Sequence, residues 1–192
     1  MYLTKDQLTA TLRHAWKHSR RDHLMLLLGA QHGLRRTEIA QLTLADVSGG
    51  KLTVARLKGS ETTTHPLMSN DNILFDEILA LRYYLEERAT NAESLFGVTG
   101  WRVSQIAQEH MLAAGVPKEL AHAHQLKHAC CSYLIRQGIG VEYVRVYVGH
   151  KDVKSTIVYL NISQEEASAK AQLAFSNSPK VAAAPSNAAG EK

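Results

Sequence analysis

The sequence predicts a mostly α-helical domain carrying a small antiparallel three-stranded β-sheet, and three observations support this. Apolar residues recur at helical spacing along most of the chain, from Leu8, Leu12 and Trp16 to Leu126, Cys130, Tyr133 and Leu134. One stretch, 46–67, breaks that rhythm with short β-prone runs separated by glycines. The 192 residues, 45% of them hydrophobic, suffice for one sizeable core rather than several.

Thr4 and Gln7 stand at capping-box spacing, so the first helix is expected to begin just after Thr4. Its polar side offers Arg13, His14, Lys17 and His18. A second helix spans 21–31, and its block Leu24, Met25, Leu26, Leu27 and Leu28 demands a central position. Gly33 interrupts that run and places Arg35 at the boundary of a short helical segment over 37–42. The arrangement suits an anion, although one glycine and one arginine do not specify one. The three strands are expected around Val47, at Leu52, Val54 and Leu57, and over 62–67, with a Gly49-Gly50 turn. Lys58 and Gly59 fall in the turn between the second and third.

A helix over 71–88 carries five acidic and two basic residues, a balance that turns it away from any polyanion. Leu95 and Phe96 anchor the following loop, and helices are expected over 103–114, from His122 or His124 to Gln137, and over 141–148. Gly149 bends the chain and puts His150 at the next turn. The segment 153–160 is too short to classify by periodicity. Ser163 and Glu166 have capping-box spacing for a terminal helix over 164–173. Residues 1–175 are therefore expected to form the domain, and the Ala-, Ser-, Pro- and Asn-rich 176–192 a mobile tail.

Lys and Arg exceed Asp and Glu by 22 to 18, a formal charge of +4, so the partner class depends on where the charges sit. Residues 121–160 hold a net +3, with Arg136, Arg145, Lys151 and Lys154 placed to meet a phosphate backbone, and Arg13, Lys17, Arg20 and Arg21 offer a second such surface. Adjacent Cys130 and Cys131 inside an apolar helical pattern read as buried reduced thiols rather than a disulfide framework. No signal-peptide pattern opens the chain, and the Leu24 to Leu28 run is too short to span a bilayer, which points to a cytoplasmic protein without membrane association.

His124 and Lys127, three apart, share one face of a helix. Arg35, Lys58, His150 and Tyr159 lie in other elements, so only the fold brings the six together. Each has a plainer reading: Tyr159 a half-buried aromatic residue, Arg35 an ion-pair partner, His124 a core imidazole, His150 a turn cap, Lys58 and Lys127 exposed cations. His122, His124 and His128 lack cysteine or carboxylate co-ligands, so no metal site is assigned.

Taken together, these residues carry a resemblance. Gly33-Leu34-Arg35 continuing through Glu38, Leu42, Leu44 and Asp46, then Lys58, His124-Gln125-Leu126-Lys127-His128, Gly149-His150 and Tyr159 follow the order of the motifs in the catalytic domain of tyrosine recombinases, the phage integrase family. The resemblance covers 3–165. Arg56-Leu57-Lys58 leading to Thr63-Thr64-His65-Pro66-Leu67 is especially similar to the small inversion recombinases of fimbrial switches.

That resemblance implies a helix around Tyr159 and a mechanism without cofactor or metal. Tyr159 is the implied nucleophile, forming a 3'-phosphotyrosine and releasing a 5'-hydroxyl. Arg35 grips the phosphate, Lys58 protonates the departing oxygen, His124 assists the tyrosine, and His150 donates a further hydrogen bond. Lys127 departs from the family's second arginine: it keeps the charge and loses the planar fork. The implied partner is double-stranded DNA with specific recombination sites, bound by a DNA-dependent homo-tetramer with accessory DNA-bending proteins, and the helix near Leu173 docks on a neighbouring subunit. Two other functions stay open: a noncatalytic DNA-binding regulator with a decayed site, and DNA relaxation in the manner of type IB topoisomerases.

Overall fold

A computed structural model describes residues 2–57, 61–89, 92–159, 168–169, 171–173 and 176. The chain divides into two compact units, Met1–Leu160 and Asn161–Lys192. In the second, residues 168–169 and 171–173 are helical and the Ser176 hydroxyl donates to the Leu173 carbonyl at 2.9 Å. The rest of the expected terminal helix and tail lies outside the described residues, as does Lys58.

The first unit opens with α1 (Lys5–His18), whose capping box forms as expected: Gln7 N donates to Thr4 Oγ1 at 3.2 Å, and Thr4 N to Gln7 Oε1 at 3.0 Å. Ser19 closes α1 and caps α2 (Arg20–His32), accepting from Asp22 N at 3.2 Å. The apolar block of α2 is central: Leu24, Met25, Leu26, Leu27 and Leu28 are all fully buried, each contributing roughly 1.5–3 kcal/mol. Around α2 pack α1, α4 (Glu77–Glu87) and α6 (His124–Arg136), while α3 (Arg36–Gln41) lies against α5 (Gly100–Ala113). Leu95 and Phe96 enter the same core, and the Tyr84 hydroxyl donates to the Leu95 carbonyl at 2.7 Å.

The mostly helical class with a small antiparallel sheet holds, and the sheet differs in one detail. Among the described residues it has two strands, β1 (Lys51–Val54) and β2 (Thr63–Pro66), paired Lys51 with Pro66 through Val54 with Thr63. The expected strand at Val47 is instead a pair of tight 3-10 turns over Ala45–Gly50. Asp46 Oδ2 accepts from both Thr43 N and Thr43 Oγ1 at 2.8 Å, and Gly49 and Gly50 take positive φ, so local side-chain bonding wins over strand pairing.

The helix expected over 71–88 is likewise broken. Asn72 and Asp76 each accept from a backbone N–H two or three residues on, which sets off a short 3-10 turn, Ile73–Phe75, from α4. The chain then runs through α5, capped by Thr99, to α6, α7 (Val141–Tyr147) and the one-turn α8 (Lys154–Ile157). Cys130 and Cys131 are free and buried. Among the described residues no helix is long and apolar enough to cross a membrane.

Candidate functional site

Two left-handed glycines bring the site's segments together. Gly33 (φ 60°) ends α2, and a Cβ there would stand 2.8 Å from the Val148 side chain. Gly149 (φ 64°) ends α7, and a Cβ there would stand 2.8 Å from Arg56 Cγ. The α2–α3 turn, carrying Arg35, and the α7–α8 turn, carrying His150, can therefore both close on Arg56.

Arg56 is the hub. Its guanidinium is fully buried, and Nε donates to Thr63 Oγ1 at 2.9 Å, Nη2 to the His32 and Tyr147 carbonyls at 3.0 and 3.5 Å, and Nη1 to the Gly33 carbonyl and Glu38 Oε2, both at 3.3 Å. Glu38 also accepts from Arg35 N at 2.8 Å, Arg35 Nη1 at 2.7 Å and Leu57 N at 3.3 Å. Burial pushes the Glu38 carboxyl up, but the Arg35 hydrogen bonds and the Arg56 charge outweigh it and hold the group below the usual carboxylate range. An ionised Glu38 thus fixes Arg35 by one edge of its fork. The Arg35 side chain is 26% exposed, so its remaining N–H groups can meet a ligand.

Lys127 comes from α6 and is 2% exposed, which excludes the reading of a free surface cation. Its Nζ donates to the Val148 carbonyl at 3.2 Å. Burial, followed by the charges of Arg35 and Arg56, lowers its pKa to about 8. His150 is buried, with Nδ1 2.9 Å from Thr156 Oγ1 on α8 and its carbonyl held by Arg145 Nη1 at 3.2 Å. Burial and then the charges of Lys127, Arg35 and Arg56 bring it down to about 4, so the imidazole is neutral at physiological pH. With Nδ1 occupied by Thr156, Nε2 is the nitrogen free for a ligand.

His124 stands exposed in the first turn of α6, and desolvation with the charges of His122, Lys127 and Arg35 lowers its pKa too. Arg35, His124, Lys127 and His150 thus share one electrostatic neighbourhood, a cradle of fixed cations and neutral imidazoles suited to an oxyanion such as a phosphate.

Tyr159 is linked to this neighbourhood through His128, which feels the charges of His124 and Lys127. Just beyond α8, it is 8% exposed, and its hydroxyl lies 2.6 Å from Nδ1 of His128, one turn along α6 from His124. The Tyr2 ring packs on both Tyr159 and His128 at 5.5 and 5.2 Å between centroids, and the Tyr2 hydroxyl reaches the Val158 carbonyl at 3.4 Å. Burial, then Cys131 and Tyr2, raise the phenol above the ordinary tyrosine range. The expected partner of the hydroxyl was His124; here it is His128.

Of the backbone-contact candidates, Arg13, Lys17, Arg136, Lys151 and Lys154 are exposed, whereas Arg145 is half-buried and bonds Glu142 at 2.9 Å as well as His150. A groove of about 890 Å³ opens between β2 and α7, and of the candidate catalytic residues that the structure describes only His150 lines it. Among the described residues no three His, Cys, Asp or Glu side chains converge as metal ligands.

Sequence reasoning passed over the roles of Arg56, Thr156, His128 and Tyr2. A charged residue at the next alternate position after the apolar strand residues Leu52 and Val54 was the available signal for Arg56; nothing local distinguished the other three.

Comparison with known proteins places these features in a family. The model of the phage integrase family matches residues 1–166. The type 1 fimbriae regulatory protein FimE of Escherichia coli is 30% identical over 152 residues, covering 72% of this chain and 73% of its own length. FimB of the same organism is 28% identical over 172 residues, covering 82% of each. Among solved structures, the XerH site-specific recombinase bound to its difH substrate in a pre-cleavage complex superposes with a TM-score of 0.73 over 90% of this chain, at 19% identity, which shows a shared fold. This chain spans 54% of that recombinase.

Proposed function

Because the chain belongs to the phage integrase family, we propose that it breaks and rejoins DNA at specific sites through a 3'-phosphotyrosine on Tyr159. The observation that carries this reading is the cradle at the two left-handed turns: Arg35, Lys127 and His150 share one neighbourhood, and the two arginines flanking Glu38 hold it ionised. A phosphodiester seated there meets charge that needs no rearrangement when its nonbridging oxygens become more negative. Arg35 offers the outer edge of its fork, Lys127 a point charge, His150 its Nε2, and His124 a polar edge at the mouth. Tyr159 Oη attacks phosphorus, the bond to the 5'-oxygen breaks, and Lys58 protonates that oxygen. The phosphotyrosine retains the linkage for rejoining, so no nucleotide is consumed.

Double-stranded DNA is the partner, in keeping with the XerH neighbour on its difH substrate. Exposed Lys151 and Lys154, beside His150 in the chain, supply backbone contacts. Exchange between two duplexes calls for a DNA-assembled tetramer, in the compartment that holds the DNA. Integration, excision and inversion all follow from one such step.

The test is covalent capture. Nicked duplexes tiled across the chain's own replicon are incubated with the protein, detergent-stable adducts are isolated, and their DNA is sequenced. A discrete captured site, lost in Tyr159→Phe, is expected. Salt-sensitive binding without any adduct would leave a noncatalytic DNA-binding regulator, the reading favoured by a buried Lys127 where the family has arginine. Relaxation of supercoils without site preference would instead indicate a type IB topoisomerase-like activity.

A further inference from the structure

We propose that His128, rather than His124, accepts the proton of Tyr159 when the phenol attacks, an assignment that rests on the phosphotyrosine reading above. A general base must lie within hydrogen-bond reach of the proton it takes, about 2.6–3.2 Å between heavy atoms. His128 Nδ1 stands 2.6 Å from Tyr159 Oη. His124 instead meets His128 edge to face, with ring centroids 4.3 Å apart. Tyr2 packs on both partners and fixes their relative placement.

His128 also has the protonation state the role needs. Burial lowers its pKa to about 4, and the charges of His124, His122 and Lys127 act in the same direction. The other titratable groups beside the pair are the Tyr2 phenol and the Cys130 and Cys131 thiols; Cys131, which also shares a hydrogen bond with Tyr159, is pushed up to about 11 and so uncharged at neutral pH. A neutral imidazole accepting at Nδ1 carries its proton on Nε2.

The step balances. The Tyr159 O–H bond breaks and its proton passes to His128 Nδ1, the bond from Oη to phosphorus forms, the bond to the 5'-oxygen breaks, and that oxygen takes a proton from Lys58. In rejoining, the 5'-hydroxyl returns its proton to Lys58 and attacks phosphorus, the bond from phosphorus to Tyr159 Oη breaks, and the His128 imidazolium returns its proton to Oη.

His128→Gln keeps a hydrogen-bond acceptor of similar reach and removes the base. Single-turnover adduct formation on the captured site at neutral pH should fall at least about 100-fold in this variant. His124→Gln should slow it less. The assignment is overturned if His128→Gln forms adduct within about threefold of the parent or faster, or if His124→Gln slows adduct formation more than His128→Gln does. Imidazole nitrogen NMR of the unmodified protein is independent of cleavage and of how the variant folds. An Nε2–H tautomer of His128 with a hydrogen-bonded Nδ1 is expected, and an Nδ1–H tautomer refutes the proposal. Adduct that Tyr159→Phe abolishes and His128→Gln leaves intact removes this inference alone; no adduct from the parent chain removes the phosphotyrosine reading with it.

Discussion

Replacing Arg56 by lysine isolates what its guanidinium contributes. The charge stays, but three donors on one nitrogen replace a fork that serves Thr63 from one side and His32, Gly33, Tyr147 and Glu38 from the other. A lysine that keeps Glu38 leaves at least the His32 and Gly33 carbonyls without a donor in a site closed to water. At about 1–3 kcal/mol for each buried orphan, the loss is about 2–6 kcal/mol, a large part of the roughly 5–15 kcal/mol that stabilises a domain. For a chain of this size that lowers Tm by roughly 5–20 °C. Urea unfolding followed by fluorescence of Trp16 and Trp101 measures the first quantity. Adduct formation well below the new Tm measures the second effect, a misplacement of Arg35 and Gly149 that slows cleavage in protein that is still folded. A variant within 1 kcal/mol of the parent and with an unchanged adduct rate would refute the view of Arg56 as the clasp between the two turns.

Two further outcomes follow. Lys127→Arg restores the fork and should raise adduct formation roughly 100-fold, the scale of a regained oxyanion donor, with nonspecific DNA affinity little changed. Because Lys127 loses its proton near pH 8, the parent's rate should decline above that pH and the arginine variant's decline should move upward; a folded variant with neither gain nor shift would show that the site works around lysine differently. His23, His65, His128 and His150 are each lowered to about 4, chiefly by burial. Between pH 6.5 and 4 the unfolded chain therefore binds protons that the native chain refuses, and stability must fall as pH drops through that window. A urea midpoint at pH 5 equal to or above that at pH 7.5 would contradict those burial-driven shifts.

Much of the architecture was legible because it follows from local pattern and burial. The capping box at Thr4, the wholly apolar face of α2 and the breaks at Gly33 and Gly149 are written in short-range terms, and the order of motifs from Arg35 to Tyr159 carries the family. The expected strand at Val47 does not form because the Asp46 side chain and two positive-φ glycines offer the backbone a competing set of bonds. The long helix over 71–88 was overextended for a similar reason: Asp76 caps from within it.

What the sequence by itself determined, then, is which segments are helical, which residue types are available for phosphate chemistry, and that lysine stands where a planar fork was expected. Only the tertiary structure decided how those groups are used. The burial of Lys127 against the Val148 carbonyl, the division of Glu38 between Arg35 and Arg56, and the choice of His128 over His124 beside Tyr159 depend on contacts between residues far apart in the chain. No periodicity or spacing encodes these, because a hydrogen-bond partner is selected by distances of tenths of an ångström that exist only once the elements are packed.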